Sequence, residues 1–193
     1  MKHPLEFIPA AYRKTLFFIF LFLTITLFAV FGILDKPLRT HNLNSNGIVS
    51  FELAFNPIQA FEILRSWSGS QTHILPPLAG AYESSPQFMY AAFGLGLDYL
   101  FMPTYAFVLA FGTLLAAGRH SGWLKSLGAV AGYGAFAAAL FDAVENFALF
   151  QVLLGAYQSA YPAIAAICAT IKFVLLILGL VYALAAWLLP RQS

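Results

Sequence analysis

The sequence predicts an all-α polytopic membrane protein: four transmembrane helices in a bundle, with a short outer amphipathic helix. Three observations predict it. Of the 193 residues, 61% are hydrophobic and only 9% are charged, whereas a soluble domain carries about 25% charged residues. Mean hydropathy is +0.79, and 20 residues are phenylalanine. The apolar residues gather into four stretches of about 20 residues or more, the length that crosses a hydrocarbon core of about 30 Å. Hydrocarbon offers no water to satisfy backbone groups, so all four stretches should be helical. The alternating segments of a membrane β-barrel are absent from the sequence. A net charge of +2 is too small for a surface that tracks phosphates, which excludes nucleic acid as a partner. The single Cys cannot form an intrachain disulfide.

The first span covers about residues 15–34 and follows Arg13 and Lys14. Its apolar run is longer than a signal-peptide core. It exits into Leu34-Asp35-Lys36-Pro37 with no small-x-small cleavage site, so it reads as a retained span. The other spans cover about residues 88–117, 123–154 and 163–189, and residues 1–193 read as a single membrane domain. Lys and Arg near the span ends set the orientation. With the N-terminus inside, Lys2, Arg13, Lys14, Arg119, Lys125 and Arg191 are cytoplasmic, while Lys36, Arg39 and Arg65 are outside. This bias predicts a multi-pass protein of a cell inner membrane, N-in and C-in.

The outer loop, residues 35–87, is too short and too rich in Pro, Ser and Asn for a core of its own. Within it, Asn56 suits a helix N-cap and Pro57 the first turn. Over about residues 57–67, Ile58, Phe61, Leu64 and Trp67 share one side of a helix. This predicts a helix on the outer interface, anchored by Trp67. A cap that plugs the bundle and a ligand gate would share this pattern; Glu52 and Trp67 are the candidate gate residues. The run Ile48 to Phe55 is apolar except for Glu52, which is either a solvated loop carboxylate or a group hanging over a buried site. Ile74-Leu75-Pro76-Pro77 reads as a rigid extended segment.

The polar residues inside the spans carry the chemistry. Asp98 lies in the second span, Asp142, Glu145 and Asn146 in the third, and Lys172 in the fourth. Ionisable groups at such depth are expensive and usually face the bundle interior. Each lies about 8–12 residues from the outer end of its span, or about 12–18 Å at about 1.5 Å per residue. All five are therefore expected to meet at one level, in a pocket that opens outward. Glu145 and Asn146 flank Asp142 on one arc, which continues through Ala138, Ala135, Ala131 and Gly128. A stripe of small residues lets membrane helices approach closely. Ala165, Cys168, Gly179, Ala183 and Ala186 lie on the side of Lys172. Pro103 deprives the Tyr99 carbonyl of its helical partner, which predicts a kink and a spare acceptor beside Asp98. Tyr105, seven residues past Asp98, returns to that face with a hydroxyl.

Three acids against one lysine leave an excess of negative charge. Either some acids are held neutral, Glu145 or Asp98 being favoured, or a cation occupies the site. Lys172 is expected to stay charged, with Asp142 its nearest acid. None of the four His falls within a predicted span and Cys168 is solitary, so no transition-metal site is expected and no cofactor is implied.

The pattern Gly94-x-Gly96-x-Asp98-Tyr99-x-Phe101 followed by Phe141-Asp142-x-x-Glu145-Asn146 resembles small uncharacterised bacterial four-span integral membrane proteins. The resemblance covers most of the chain and implies the fold, not an activity. A lesser likeness is to the sterol-isomerase and sigma-2-receptor superfamily, whose four-span members bury carboxylates in a lipid-facing cavity. The intramembrane His of its isomerases has no counterpart here, and no catalytic role is carried over. There is no P-loop, no dinucleotide fingerprint, no His-Glu-x-x-His and no Gly-x-Ser-x-Gly.

Three functional readings stand open. The first is binding of a small apolar or lipidic ligand in the membrane, with proton coupling. The second is a membrane-embedded acid–base enzyme acting on an apolar substrate, with Asp98 and Glu145 as the pair. The third is an accessory role beside a partner membrane subunit, in which the polar network only sets packing.

Overall fold

The computed structural model describes residues 1–40, 45–68 and 85–191. Among the described residues the regular structure is entirely helical. Helix α1 spans Ala10–Leu34 and runs into a 3-10 turn at Lys36–Leu38. Two short helices follow, α2 at Ile48–Glu52 and α3 at Pro57–Ser68. Helices α4 (Pro86–Ala117) and α5 (Gly122–Leu153) come next, then a 3-10 turn at Ala156–Gln158 and helix α6 (Tyr161–Leu188). Helices α1, α4, α5 and α6 are long and apolar enough to cross a membrane. The protein is thus a multi-pass, all-α membrane protein in contact with lipid. The helix limits fall within a few residues of the hydropathy limits, except that α1 reaches back to Ala10. The segment Ile74-Leu75-Pro76-Pro77 lies outside the described residues.

The chain forms two compact units. The first comprises Met1–Leu27, Phe101–Phe141 and Ile171–Ser193; the second comprises Phe28–Leu100 and Asp142–Thr170.

In the first unit, Phe20 of α1 stacks on Phe107 of α4 at 4.7 Å, and Phe107 meets Phe136 of α5 edge-on at 5.4 Å. Lipid tails are as apolar as these side chains, so close packing rather than escape from water holds such helices together. Small residues make the closest approaches. A Cβ on Gly128 would lie 2.4 Å from the Tyr182 hydroxyl oxygen, and that hydroxyl donates to the Leu124 carbonyl at 2.9 Å. Of the predicted stripe, Gly128, Ala135 and Ala138 are buried on α5 and Ala131 is half-buried; Gly179, Ala183 and Ala186 are buried on α6.

The residues before α1 are part of this unit. Arg13 folds back to donate to the carbonyls of Ile8 and Glu6, at 2.7 and 2.8 Å. His3 is buried, although it precedes every apolar run in the sequence. The Leu5 N–H donates to its Nδ1 at 3.1 Å, so the ring proton sits on Nε2. Nε2 then donates to Thr113 Oγ1 at 3.1 Å, and the Thr113 hydroxyl passes the chain to the Ala110 carbonyl at 2.9 Å. Gly132 makes room for the ring: a Cβ there would lie 2.2 Å from His3 Nε2.

Burial pushes the His3 imidazole down to about 4; Glu6 pulls it up less strongly, and Arg13 adds to the lowering. A folded value below the unfolded one means the neutral ring is the stabilising form. Its contribution is fully present above about 6.5 and is lost as pH falls through about 4. Docking of residues 1–9 should therefore weaken on acidification by up to about 3 kcal/mol. The protection factor of the Leu5 amide, taken against its intrinsic exchange rate at each pH, should fall over that window in the wild type. In Gly132→Ala, where the seat is filled, it should be low at every pH.

The second unit has its core where α3 meets the start of α4 and the end of α5. Leu38, Phe51, Ile63, Leu64, Trp67, Phe88, Leu149 and Leu153 form it. Helix α3 starts as predicted: Asn56 Oδ1 accepts the Gln59 N–H at 3.0 Å, with Pro57 in the first turn. Its buried face differs from the expectation. Ala60, Ile63, Leu64 and Trp67 are buried, while Ile58 is 75% exposed. The stripe at 60, 63, 64 and 67 keeps the spacing of a packed helix face, and Ile58 falls outside it.

Trp67 is correspondingly a core residue rather than an interfacial anchor. It is 1% exposed, its Nε1 donates to the Leu38 carbonyl at 2.9 Å, and its ring meets Phe51 and Phe88 edge-on. Ser85 also donates to the Trp67 carbonyl. Glu52 is buried on α2 rather than solvated. Asp35 holds α2 in place, accepting the Ile48 N–H at 2.7 Å while pairing with Arg39 at 2.9 Å. Gly47, at φ +60°, lets the chain pass; a Cβ there would overlap the Asp35 carboxylate.

Candidate functional site

A membrane helix rarely buries acids, because each must be desolvated. Helix α5 buries two and an amide within five residues. Asp142, Glu145 and Asn146 are all buried, Glu145 with 0% exposure. Their neighbours on lipid-facing positions, Val144 and Phe147, are exposed. The polar arc read from helical spacing is thus the packed face of α5, continuous with Ala138 and Ala148.

Asp98 of α4 meets this face directly. Asn146 Nδ2 donates to Asp98 Oδ2 at 2.8 Å and to the Leu95 carbonyl at 3.3 Å. The first bond is the shorter one. The Tyr99 hydroxyl adds a second crossing, donating to the Ala143 carbonyl at 3.3 Å. Asn146 Oδ1 is buried and has no hydrogen-bond partner among the described residues. Asp98 and Asn146, placed on different spans by the depth argument, are therefore in contact within the second unit.

The remaining predicted residues are placed as follows. Lys172 is buried on the packed face of α6, its Nζ 4.7 Å from the centre of the Phe173 ring. Tyr105 is buried, with its ring edge-on to Phe101 at 5.3 Å. Both belong to the first unit, whereas Asp98, Asp142, Glu145 and Asn146 belong to the second. Glu52 and Trp67 also lie in the second unit. Helix α4 continues through Pro103, and the Thr104 hydroxyl folds back onto the Phe101 carbonyl at 2.7 Å. Among the described residues no group of three or more His, Cys, Asp and Glu is arranged to hold a metal ion.

No family model, curated protein or solved structure matches this chain. Function must therefore be argued from these residues.

Sequence reasoning missed two histidines that are buried among the described residues. Besides His3 there is His120 in the α4–α5 turn, 6% exposed, with Nε2 2.7 Å from the Ala186 carbonyl. The available signal lay on the partner helices: Thr113 and Gly132 are a hydroxyl and a gap on otherwise apolar faces.

Proposed function

We propose that the buried face of Asp98, Asp142, Glu145 and Asn146 binds a small or lipidic ligand bearing a hydrogen-bond donor, and that binding is coupled to movement of a proton on these acids. The observation that carries this reading is the Asn146 amide. Its nitrogen is committed to Asp98 and Leu95, while its oxygen is buried without a partner. A buried acceptor left unmet costs about 1–3 kcal/mol. Ionised carboxylates beside it can only accept, so the missing donor is either a protonated acid or a ligand hydroxyl or amine. An intramembrane acid that takes and releases a proton serves both cases.

The termini lie on the cytoplasmic side of a cell inner membrane in this reading. The cations that flank them and the α4–α5 turn support it. Labelling that places residues 45–68 in the cytoplasm would contradict it.

Proteoliposomes loaded with a pH-sensitive dye test the coupling. Added membrane lipid extract should move protons in the wild type, and Glu145→Gln should abolish this while still inserting normally. Conversion of the extract without any gradient would favour the enzyme instead. Co-purification with a fixed partner and no proton movement would favour the accessory subunit.

A further inference from the structure

We propose that Arg119 and His120 form a seat for an anionic phospholipid headgroup of the phosphoglycerol type, distinct from the carboxylate face. The two residues are adjacent in the α4–α5 turn, and both rest on the last turn of α6. The Arg119 guanidinium lies 4.6 Å from the centre of the Trp187 ring. His120 Nε2 lies 2.7 Å from the carbonyl of the preceding residue, Ala186.

The chemistry of a matching ligand follows from what each atom can do. A carbonyl only accepts, so His120 Nε2 carries a proton, and the neutral tautomer with that proton leaves Nδ1 as an acceptor. That Nδ1 is buried with no hydrogen-bond partner among the described residues. Arg119 Nε is also buried without one, and it can only donate. The two consecutive residues therefore leave unmet one donor on a cation and one acceptor. The matching ligand presents an anionic oxygen next to an O–H. A phosphodiester carrying a glycerol hydroxyl does so: the phosphate accepts from Arg119, and the hydroxyl donates to His120. A water molecule matches the two roles but not the charge.

Charge and position agree with a lipid source. The first unit holds seven Lys and Arg and a single acid, Glu6, whereas the second holds three Lys and Arg and seven acids. The seat lies just past the end of α4 at Ala117 and at the end of α6, so it sits at the mouth of two apolar spans. An indole at a span end belongs at headgroup depth. Arg119 is only partly buried, so a headgroup reaches the pair by rotation of that side chain. A phosphocholine headgroup has no O–H and brings its ammonium against a cationic unit.

The protein should be reconstituted in phosphocholine nanodiscs doped equally with phosphoglycerol lipid and phosphatidylmethanol, an anionic phosphodiester without an O–H. Retained lipid is then counted by native mass spectrometry after detergent extraction. One phosphoglycerol lipid should be retained about tenfold over phosphatidylmethanol, the factor expected for one lost hydrogen bond of ordinary strength, and further over phosphocholine. Arg119→Gln should lower retention of both anionic lipids about tenfold. His120→Phe should erase the preference for phosphoglycerol over phosphatidylmethanol yet keep the anionic preference. Lys125→Gln should leave the pattern unchanged. The wild-type preference is read first and does not depend on any variant folding. Equal retention of phosphoglycerol and phosphocholine lipids by the wild type overturns the proposal. Displacement of the lipid by millimolar free glycerol phosphate overturns the lipid source.

Discussion

Replacing Asn146 by Leu should lower stability in detergent by about 2–3 kcal/mol, although the side chains are similar in size. The change removes the 2.8 Å bond to Asp98 and the contact with the Leu95 carbonyl. A hydrogen bond contributes about 0.5–1.5 kcal/mol, and about 1.5–3 kcal/mol where the acceptor is charged. Bonds between membrane helices average less, about 0.6 kcal/mol, because the unfolded chain in lipid also finds partners. The figure stays above that average because two bonds are lost together in an apolar bundle. Asp98→Leu should cost a comparable amount. The double change Asp98→Leu with Asn146→Leu should cost clearly less than the two together, because the bond the two residues share is counted once. Unfolding melts of the four proteins form the cycle. Strict additivity would mean that the contact contributes nothing.

Trp67→Ala should be the most destabilising single change outside the spans, by about 3–5 kcal/mol. The indole joins three separate segments: its Nε1 holds the Leu38 carbonyl, and its ring meets Phe51 of α2 and Phe88 of α4. Removing it opens a cavity that neighbours on three segments cannot collapse to fill. Trp67→Phe should cost less, retaining the ring contacts and losing mainly the hydrogen bond, about 1 kcal/mol. With Trp123 and Trp187, both exposed, replaced by Phe, the fluorescence of Trp67 should be shielded from a soluble quencher. A Trp67→Ala protein that melts with the wild type would return this residue to the membrane interface.

The spans were legible because long apolar runs have one structural solution in lipid. The Asp98–Asn146 contact was legible for a related reason. Polar groups in hydrocarbon seek each other, and depth and helical phase leave few partners to choose from. The face of α3 was not legible, since outside hydrocarbon an apolar residue such as Ile58 can remain in contact with solvent or lipid. Ala60, fully buried, gives no signal of its own. What buries Trp67 is the convergence of Phe51 and Phe88, 16 and 21 positions away along the chain. His3 was hidden similarly, its partner Thr113 lying 110 residues away. A polar residue ahead of the first span reads as solvated unless a hydroxyl and a glycine on distant helices are recognised as its seat.

The carboxylate face as a ligand site is the central claim, and a density map of the protein purified from its native membrane tests it most directly. The expected result is non-protein density within hydrogen-bonding reach of Asn146 Oδ1, about 2.6–3.2 Å, weakened when Asn146 is replaced by Leu. An Asn146 Oδ1 satisfied by one of the protein's own side chains, with no added density around Asp98, Asp142 and Glu145, would contradict the account and make the polar face a packing device.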